Sequence, residues 1–277
     1  MTESGLTQDC LDHYREHGFT VARGVFSHEE CDGFVQRMVD WISGEQPIEG
    51  MSVRKPDQWD RTLNQHLVDP VCKEWLLHPR LRPLLADCMQ DDPEGVQTMY
   101  FFKGSTQGRH QDQYYLPGCM STWIALMDVG QHNGTIWVQK GSHQKHLVTA
   151  RELKHSSGQD FSNGEEYHVA LERVFEENTA EHGLEEVPVE VAKGDVVLFH
   201  GVLIHRGGPV GESGSFRHVL ANHYVPQGFE GWPYGEWPRF GFDGDVSADT
   251  SERTEGWQGH PNRVTKPEAI DNQVAVY

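Results

Sequence analysis

The apolar residues of this chain change their period near "DDPEG" at 91–95. Before that point they recur at helical spacing. Residues 7–17 put Leu11 and Tyr14 on one side and stop at Gly18, the residue type that most readily takes the left-handed turn ending a helix. "FTVARGVF" (19–26) then alternates like a strand. Ser27 and Glu30 form an S-x-x-E capping box, with Cys31, Phe34, Val35, Met38, Trp41 and Ile42 recurring behind it on one helical face. A third helix is expected from Asp69-Pro70, because proline is accommodated at a first helical position, and Leu81, Leu84, Leu85 and Cys88 mark a fourth. Beyond the break the runs "VQTMYFFK", "MSTWIALMDV", "GTIWVQ", "DVVLFHGVL" and "RHVLANHYV" are β-rich and separated by turn formers. Helices followed by strands predict an α+β layout around one β core.

Without internal repeats or a low-complexity linker, residues 1–277 read as a single domain. Two stretches depart from the pattern. Residues 151–186 are polar, show little strand pattern and read as an inserted lid or mobile loop. Residues 226–277 read as an aromatic-rich extension, with "GFEGWPYGEWPRFGF" followed by a polar tail. A formal charge of -19 argues against nucleic-acid and anionic-membrane partners, disfavours a polyanionic ligand, and admits a small-molecule substrate such as a secondary metabolite or another neutral or cationic metabolite. No run of about 18 apolar residues and no apolar leader occur, so a cytoplasmic location is expected. The five cysteines are widely spaced and never form C-x-x-C, which points to reduced thiols. Neither a G-x-S-x-G elbow nor a glycine-rich phosphate loop is present.

The chemistry concentrates in two segments. In "GRHQDQYYLPG" (108–118), His110 and Asp112 stand two apart, which on a strand directs both to one face and Gln111 to the other. A carboxylate and two imidazoles on one face hold the metal of non-heme iron(II) oxygenases, leaving other positions open. The second segment, "AKGDVVLFHGVLIHRGGPVGESGSFRHVLANHYV", offers His205 at the end of a buried run and Arg217 on an expected strand 217–225, sharing a face with Val219 and Ala221. A guanidinium on an apolar face needs an anion: either a protein carboxylate or that of a dicarboxylic co-substrate, which its planar fork fits. His143 reads as part of a turn, His200 as facing away from His205 by strand parity, and His218 as facing away from Arg217.

The ordered set His110-Gln-Asp112, "NGTIWVQKGSH" (133–143), "GDVVLFHGVLIH" (194–205) and Arg217, with "YREHGFTVARGVFSHEECDGFV" (14–35) ahead of it, resembles the phytanoyl-CoA dioxygenase (PhyH) family of iron(II)- and 2-oxoglutarate-dependent oxygenases. The resemblance implies a double-stranded β-helix (jelly-roll, cupin-like) core with flanking helices, Fe(II) held by His110, Asp112 and His205, and 2-oxoglutarate anchored through its C5 carboxylate by Arg217, with O2 as the other co-substrate. It also implies that Gln97, Met99 and Trp123 line the co-substrate site, and Tyr114 and Tyr115 are candidate substrate walls. An intact Asp112 favours hydroxylation, desaturation or ring formation over halogenation, which in related enzymes needs a small residue there. One departure stands out: some relatives carry a serine two residues after the distal histidine to help the arginine, where this chain has Gly207, leaving Ser215 or Thr122 as substitutes. The competing readings are a cupin-like metal binder without turnover and a zinc hydrolase using the same three ligands.

Overall fold

The computed structural model describes residues 5–105, 107–145, 148, 164–210, 216–229 and 237–247. Helix α1 (Gln8–His17) is capped by the Thr7 hydroxyl and ends at Gly18, whose φ of 83° is left-handed. Strand β1 is shorter than the alternation suggests: it covers Phe19–Ala22 and gives way to a turn at Arg23-Gly24. Both halves of the expected capping box form at α2 (His28–Ser43), which buries Cys31, Phe34, Met38, Trp41 and Ile42. Strand β2 (Arg61–Leu63) precedes α3 (Pro70–Leu76), where Asp69 caps and Pro70 opens the helix, and α4 (Leu81–Met89) follows.

The remaining elements are β3 (Pro93–Phe101), β4 (Met120–Ala125), β5 (Ile136–Gln139), α5 (Gly164–His182), β6 (Glu186–Pro188), β7 (Val196–His200), β8 (His205–Gly207), β9 (Val219–Pro226), β10 (Arg239–Gly241) and β11 (Val246–Ser247). Eight strands make one sheet in the order β1-β7-β4-β9-β3-β10-β11, with β2 also paired to β3, and β6-β5-β8 make a second. Every strand pairing within them is antiparallel. The two faces of the large sheet do different work, as strand alternation requires. Tyr100, Met120, Ile124, Leu198, Leu220 and Tyr224 meet α2, α3 and α4 in one core; Phe101, Trp123, Val197, Phe199, Val219 and Ala221 meet Ile136 and Val138 of the small sheet in another. These facing sheets, buttressed on one side by helices, are the jelly roll expected from the family resemblance.

Two expectations change here. Within 151–186, residues 164–182 are helix α5 and Glu186–Pro188 is an edge strand of the small sheet. The helix escapes pattern reading because its apolar face is narrow: among its described side chains Leu171, Val174 and Phe175 join the cluster of Tyr114, Val148 and Ile204, while Val169 is exposed. Within 226–277, β10 and β11 extend the large sheet beyond β3. Residues 151–163 and 248–277 lie outside the described residues. Among the described residues no helix is long and apolar enough to cross a membrane, and all five cysteines are free.

The helix-side core also contains a buried imidazole. His66 Nδ1 meets Thr98 Oγ1 at 3.0 Å, and burial, aided by Lys73, pushes its pKa down to about 3. Its folded pKa therefore lies below its unfolded value, so its share of stability is complete above about pH 6.5 and is lost as pH falls toward the folded value. Between pH 6.5 and 5 the loss is about 2 kcal/mol. Other buried imidazoles, His110, His200 and His218, are lowered in the same direction. The drop in urea midpoint from pH 7 to pH 5 should therefore be smaller in His66→Asn than in the parent without vanishing; an unchanged drop in the variant would remove His66 as a cause.

Candidate metal centre

His110 and His205 meet through their backbones. His110 donates its N–H to His205 O at 2.9 Å and accepts from His205 N at 3.0 Å, a single antiparallel bridge that sets the imidazoles side by side with ring centroids 4.1 Å apart. After this bridge the chain does not continue as a strand. It coils into a 3₁₀ turn, Asp112–Tyr114, and the turn rather than strand alternation brings Asp112 back to the imidazoles. Gln111 does point away: its amide donates to Val202 O and accepts from Val148 N, tying the turn to its surroundings.

Asp112 Oδ1 lies 3.6 Å from His110 Nε2 and 3.5 Å from His205 Nε2, and the three side chains, all buried, offer ligand atoms within 4.8 Å of one another. The imidazole tautomers suit a cation. His110 Nδ1 faces Gly108 O at 2.9 Å and His205 Nδ1 faces Leu203 O at 3.0 Å; a carbonyl only accepts, so each Nδ1 carries the proton and each Nε2 presents a lone pair. Burial, reinforced by His205, pushes the His110 pKa down to about 3, which keeps that imidazole neutral. Burial alone would raise Asp112, but the imidazoles of His205, His223 and His110 hold its carboxyl well below the usual range. Two imidazole nitrogens and one carboxylate oxygen gathered at one point fit a ferrous ion.

Arg217 sits just ahead of β9, its N–H donating to Phe102 O. Its side chain is 2% exposed, flanked by the rings of Phe101 and Trp123 at 5.2 and 5.4 Å, and one Nη1–H reaches Gly134 O. Nε has no partner, and among the described residues no carboxylate lies within ion-pair distance of this guanidinium. Burial lowers its pKa to about 10, with Asp60 opposing. A buried guanidinium left this way is costly, so the donor set fits an anion brought by a ligand.

Strand register arranges the other expected residues. Gln97, His223 and Ser121 form one row across β3, β9 and β4, and Met99, Ala221 and Trp123 form the next, both on the face toward the small sheet. Thr122 pairs with Asn222 and Leu198 on the opposite, helix-facing side, so it cannot assist Arg217. Ser215 lies outside the described residues. Tyr114 is buried in the cluster under α5, whereas the Tyr115 ring lies 6.4 Å from His110. His143 borders Arg15 O in a turn, and His218 bonds Tyr100 OH at 2.8 Å on the helix side, as expected. His200 also stands away from the cluster, but for another reason than parity: it ends β7, and a turn through Gly201–Ile204 carries the chain to the other sheet before His205.

Pattern reading passed over Ser121 and His223, both of which contact Asp112 Oδ2, at 2.6 and 3.3 Å. The signal was present: counting by twos from Arg217 along its strand reaches 223, and one step back from Trp123 reaches 121. The structure also accounts for Gly207. A Cβ there would stand 1.8 Å from the backbone oxygen of Ser105 and 3.1 Å from its hydroxyl. Gly207→Ala is expected to destabilise the protein by about 2 kcal/mol or more, read as a lower urea midpoint, because backbone and not a flexible side chain blocks the space. An unchanged midpoint would show that the 105 segment yields freely.

The model of the family described as "Phytanoyl-CoA dioxygenase (PhyH)" matches residues 14–219. Phytanoyl-CoA dioxygenase 1 of Oryza sativa subsp. japonica is 30% identical over 186 residues, covering 62% of this chain and 59% of that protein. The "Phytanoyl-CoA dioxygenase domain-containing protein 1" of Danio rerio is 24% identical over 289 residues, covering 84% and 94%. Among solved structures, EctD from S. alaskensis with bound Fe has a TM-score of 0.61 at 18% identity over 82% of this chain and 79% of that one. HygX from Streptomyces hygroscopicus, solved with nickel and 2-oxoglutarate bound, has a TM-score of 0.58 at 18% identity over 83% and 90%. The matched segment holds the two histidines, the aspartate and the buried arginine whose convergence has just been described, and the chain belongs to the phytanoyl-CoA dioxygenase family of iron(II)- and 2-oxoglutarate-dependent oxygenases.

Proposed function

We propose that this protein hydroxylates an unactivated C–H bond of a small-molecule metabolite, converting 2-oxoglutarate and O2 to succinate and CO2 as one oxygen atom enters the product. The observation that carries this reading is the spacing on β4. Ser121 binds Asp112, and Trp123, two residues on along the same face, flanks Arg217. Two residues of a strand span about 7 Å, a separation suited to a five-carbon diacid held at one end by the metal cluster and at the other by the guanidinium.

His110, Asp112 and His205 would hold Fe(II), and the bound ion supplies the redox chemistry that couples oxidative decarboxylation of the ketoacid to attack on the substrate. The protein's own contribution is placement. Arg217 fixes the far carboxylate, Trp123 and Phe101 exclude water around it, and Gln97 and Met99 line the same face on β3. Tyr115, beside His110, is the better placed of the two tyrosines to touch substrate. We read 1–277 as one domain and α5 as part of a cover over the site. Arg109, adjacent to His110, pairs with Glu172 of α5 and with Glu186, which supports that role. The net charge of -19 favours a neutral or cationic substrate over a polyanion.

Incubating purified protein with Fe(II), ascorbate and 2-oxoglutarate, alone and with a metabolite library, tests this directly. Succinate release that rises with one library component, together with a product 16 mass units heavier (one oxygen), is the expected outcome. Activity that persists without oxygen and 2-oxoglutarate would establish the zinc-hydrolase reading, and metal binding without succinate under any condition would establish the non-catalytic one.

A further inference from the structure

We infer that His223 is a positioning residue which, with Ser121, makes Asp112 a one-oxygen ligand; this rests on the metal-binding reading above. The two oxygens of Asp112 have different surroundings. Oδ1 faces His110 Nε2 and His205 Nε2, the lone pairs of the cluster. Oδ2 faces the Ser121 hydroxyl at 2.6 Å and His223 Nε2 at 3.3 Å. A carboxylate oxygen receiving two donors has its lone pairs committed and is a poor ligand, whereas its twin remains available.

The tautomer of His223 follows from its contacts. Nδ1 is buried without a hydrogen-bond partner among the described residues, while Nε2 faces the Asp112 carboxylate at 3.3 Å, which places the proton on Nε2, directed at Oδ2. The fold builds this contact with rigid parts. His223 and Ser121 are register partners on adjacent strands β9 and β4, near the centre of the large sheet, and both are almost fully buried. Asp112, by contrast, sits on a 3₁₀ turn outside any strand. The sheet therefore supplies the fixed reference, and the turn-borne carboxylate is oriented against it. Occupying Oδ2 would keep a second carboxylate oxygen from binding an ion held by Oδ1 and the two imidazoles.

The test uses the full chain and Co(II) as a spectroscopic probe, without 2-oxoglutarate or substrate. Co(II) binding is followed by calorimetry and by visible d–d absorption in the parent and in His223→Leu, His223→Gln and Ser121→Ala. The expected result is a 10- to 100-fold loss of Co(II) affinity in His223→Leu, the size typical of removing a partner that orients a ligand. Its d–d bands should change in position and intensity as Asp112 turns to a two-oxygen mode. His223→Gln, whose amide nitrogen replaces Nε2–H, should recover the parental spectrum. Ser121→Ala should move affinity and spectrum in the same direction as His223→Leu. A purely structural role would lower the melting temperature without moving the bands. Parental bands and affinity within about threefold in His223→Leu would overturn the inference, threefold being well short of the loss such partners cause. If that variant does not fold, parental bands in Ser121→Ala, or altered bands in a folded His223→Gln, overturn it instead. Failure of the parent itself to bind Co(II) overturns the metal-binding reading rather than the role of His223.

Discussion

Asp112→Ala is expected to lose Fe(II) binding by at least about 100-fold, more than the loss of an orienting partner alone, because it removes the only anionic ligand of the cluster. Two effects add. A bound ion would lose a charged oxygen in a site whose three side chains are buried and offer ligand atoms within 4.8 Å of one another. At the same time Ser121 Oγ and His223 Nε2 lose their acceptor, and each orphaned buried donor costs about 1–3 kcal/mol. Asp112→Asn separates these effects, since its amide oxygen still accepts a hydrogen bond while the charge is gone. The readout is the rise in melting temperature on adding Fe(II) under anaerobic conditions. A ligand at 100 times its Kd stabilises by about 2.7 kcal/mol, so the parent should shift clearly and both variants should not. A full metal-dependent shift in Asp112→Ala would mean that the ion sits elsewhere.

Where the chain could be read in advance, the physics was local. The capping box at Ser27 and Glu30, the proline that opens α3 at Pro70 and the glycine that closes α1 all depend on a few neighbouring residues, and all three appear as expected. The apolar strands after residue 91 were legible for the same reason. Their partners were not. Strand β1 pairs with β7, with Phe19 opposite Phe199, a contact set by the closure of the whole sheet.

The site shows the same division. His110 and Asp112 do converge, but through a bridge to a strand 95 positions later and a 3₁₀ turn, neither of which leaves a mark on the local pattern. Assigning His200 and His205 to one strand missed the turn at 201–204, although neither reading made His200 a ligand. Thr122 offered the right chemistry on the wrong face, and alternation from Trp123 would have excluded it. The same alternation on β9, carried one step past Ala221, reaches His223. What hid His223 was the number of histidines competing for attention, 17 in all. Helix α5 was hidden by its composition: Leu171, Val174 and Phe175 stand at i, i+3 and i+4 on one face, but this stripe is short and set among acidic residues, too weak to mark a helix by pattern alone.

Replacing Arg217 should weaken 2-oxoglutarate binding by tenfold or more while leaving the unliganded protein as stable as before, or more so. In the free protein this guanidinium is 2% exposed, its Nε unpartnered and its charge compensated by no described carboxylate at ion-pair distance. Removing it takes away a cost as well as its contacts with Phe101 and Trp123. Arg217→Met conserves most of the volume and drops the charge, and exchanging a buried charge for a well-packed apolar group is commonly neutral or stabilising by about 1–4 kcal/mol. In the complex the balance reverses, because the co-substrate carboxylate would find no fork to receive it and a charge-assisted pair worth more than an ordinary hydrogen bond is lost. Arg217→Lys should fall between the two, keeping the charge but offering a point donor on a shorter reach. Calorimetric titration of 2-oxoglutarate into the Mn(II)-loaded protein, beside urea midpoints of the unliganded variants, measures both halves. Opposite movements of binding and stability in Arg217→Met are the signature of a residue held in a costly state for its ligand. Parallel losses would mark an ordinary structural arginine, and unchanged affinity would remove Arg217 from the co-substrate site.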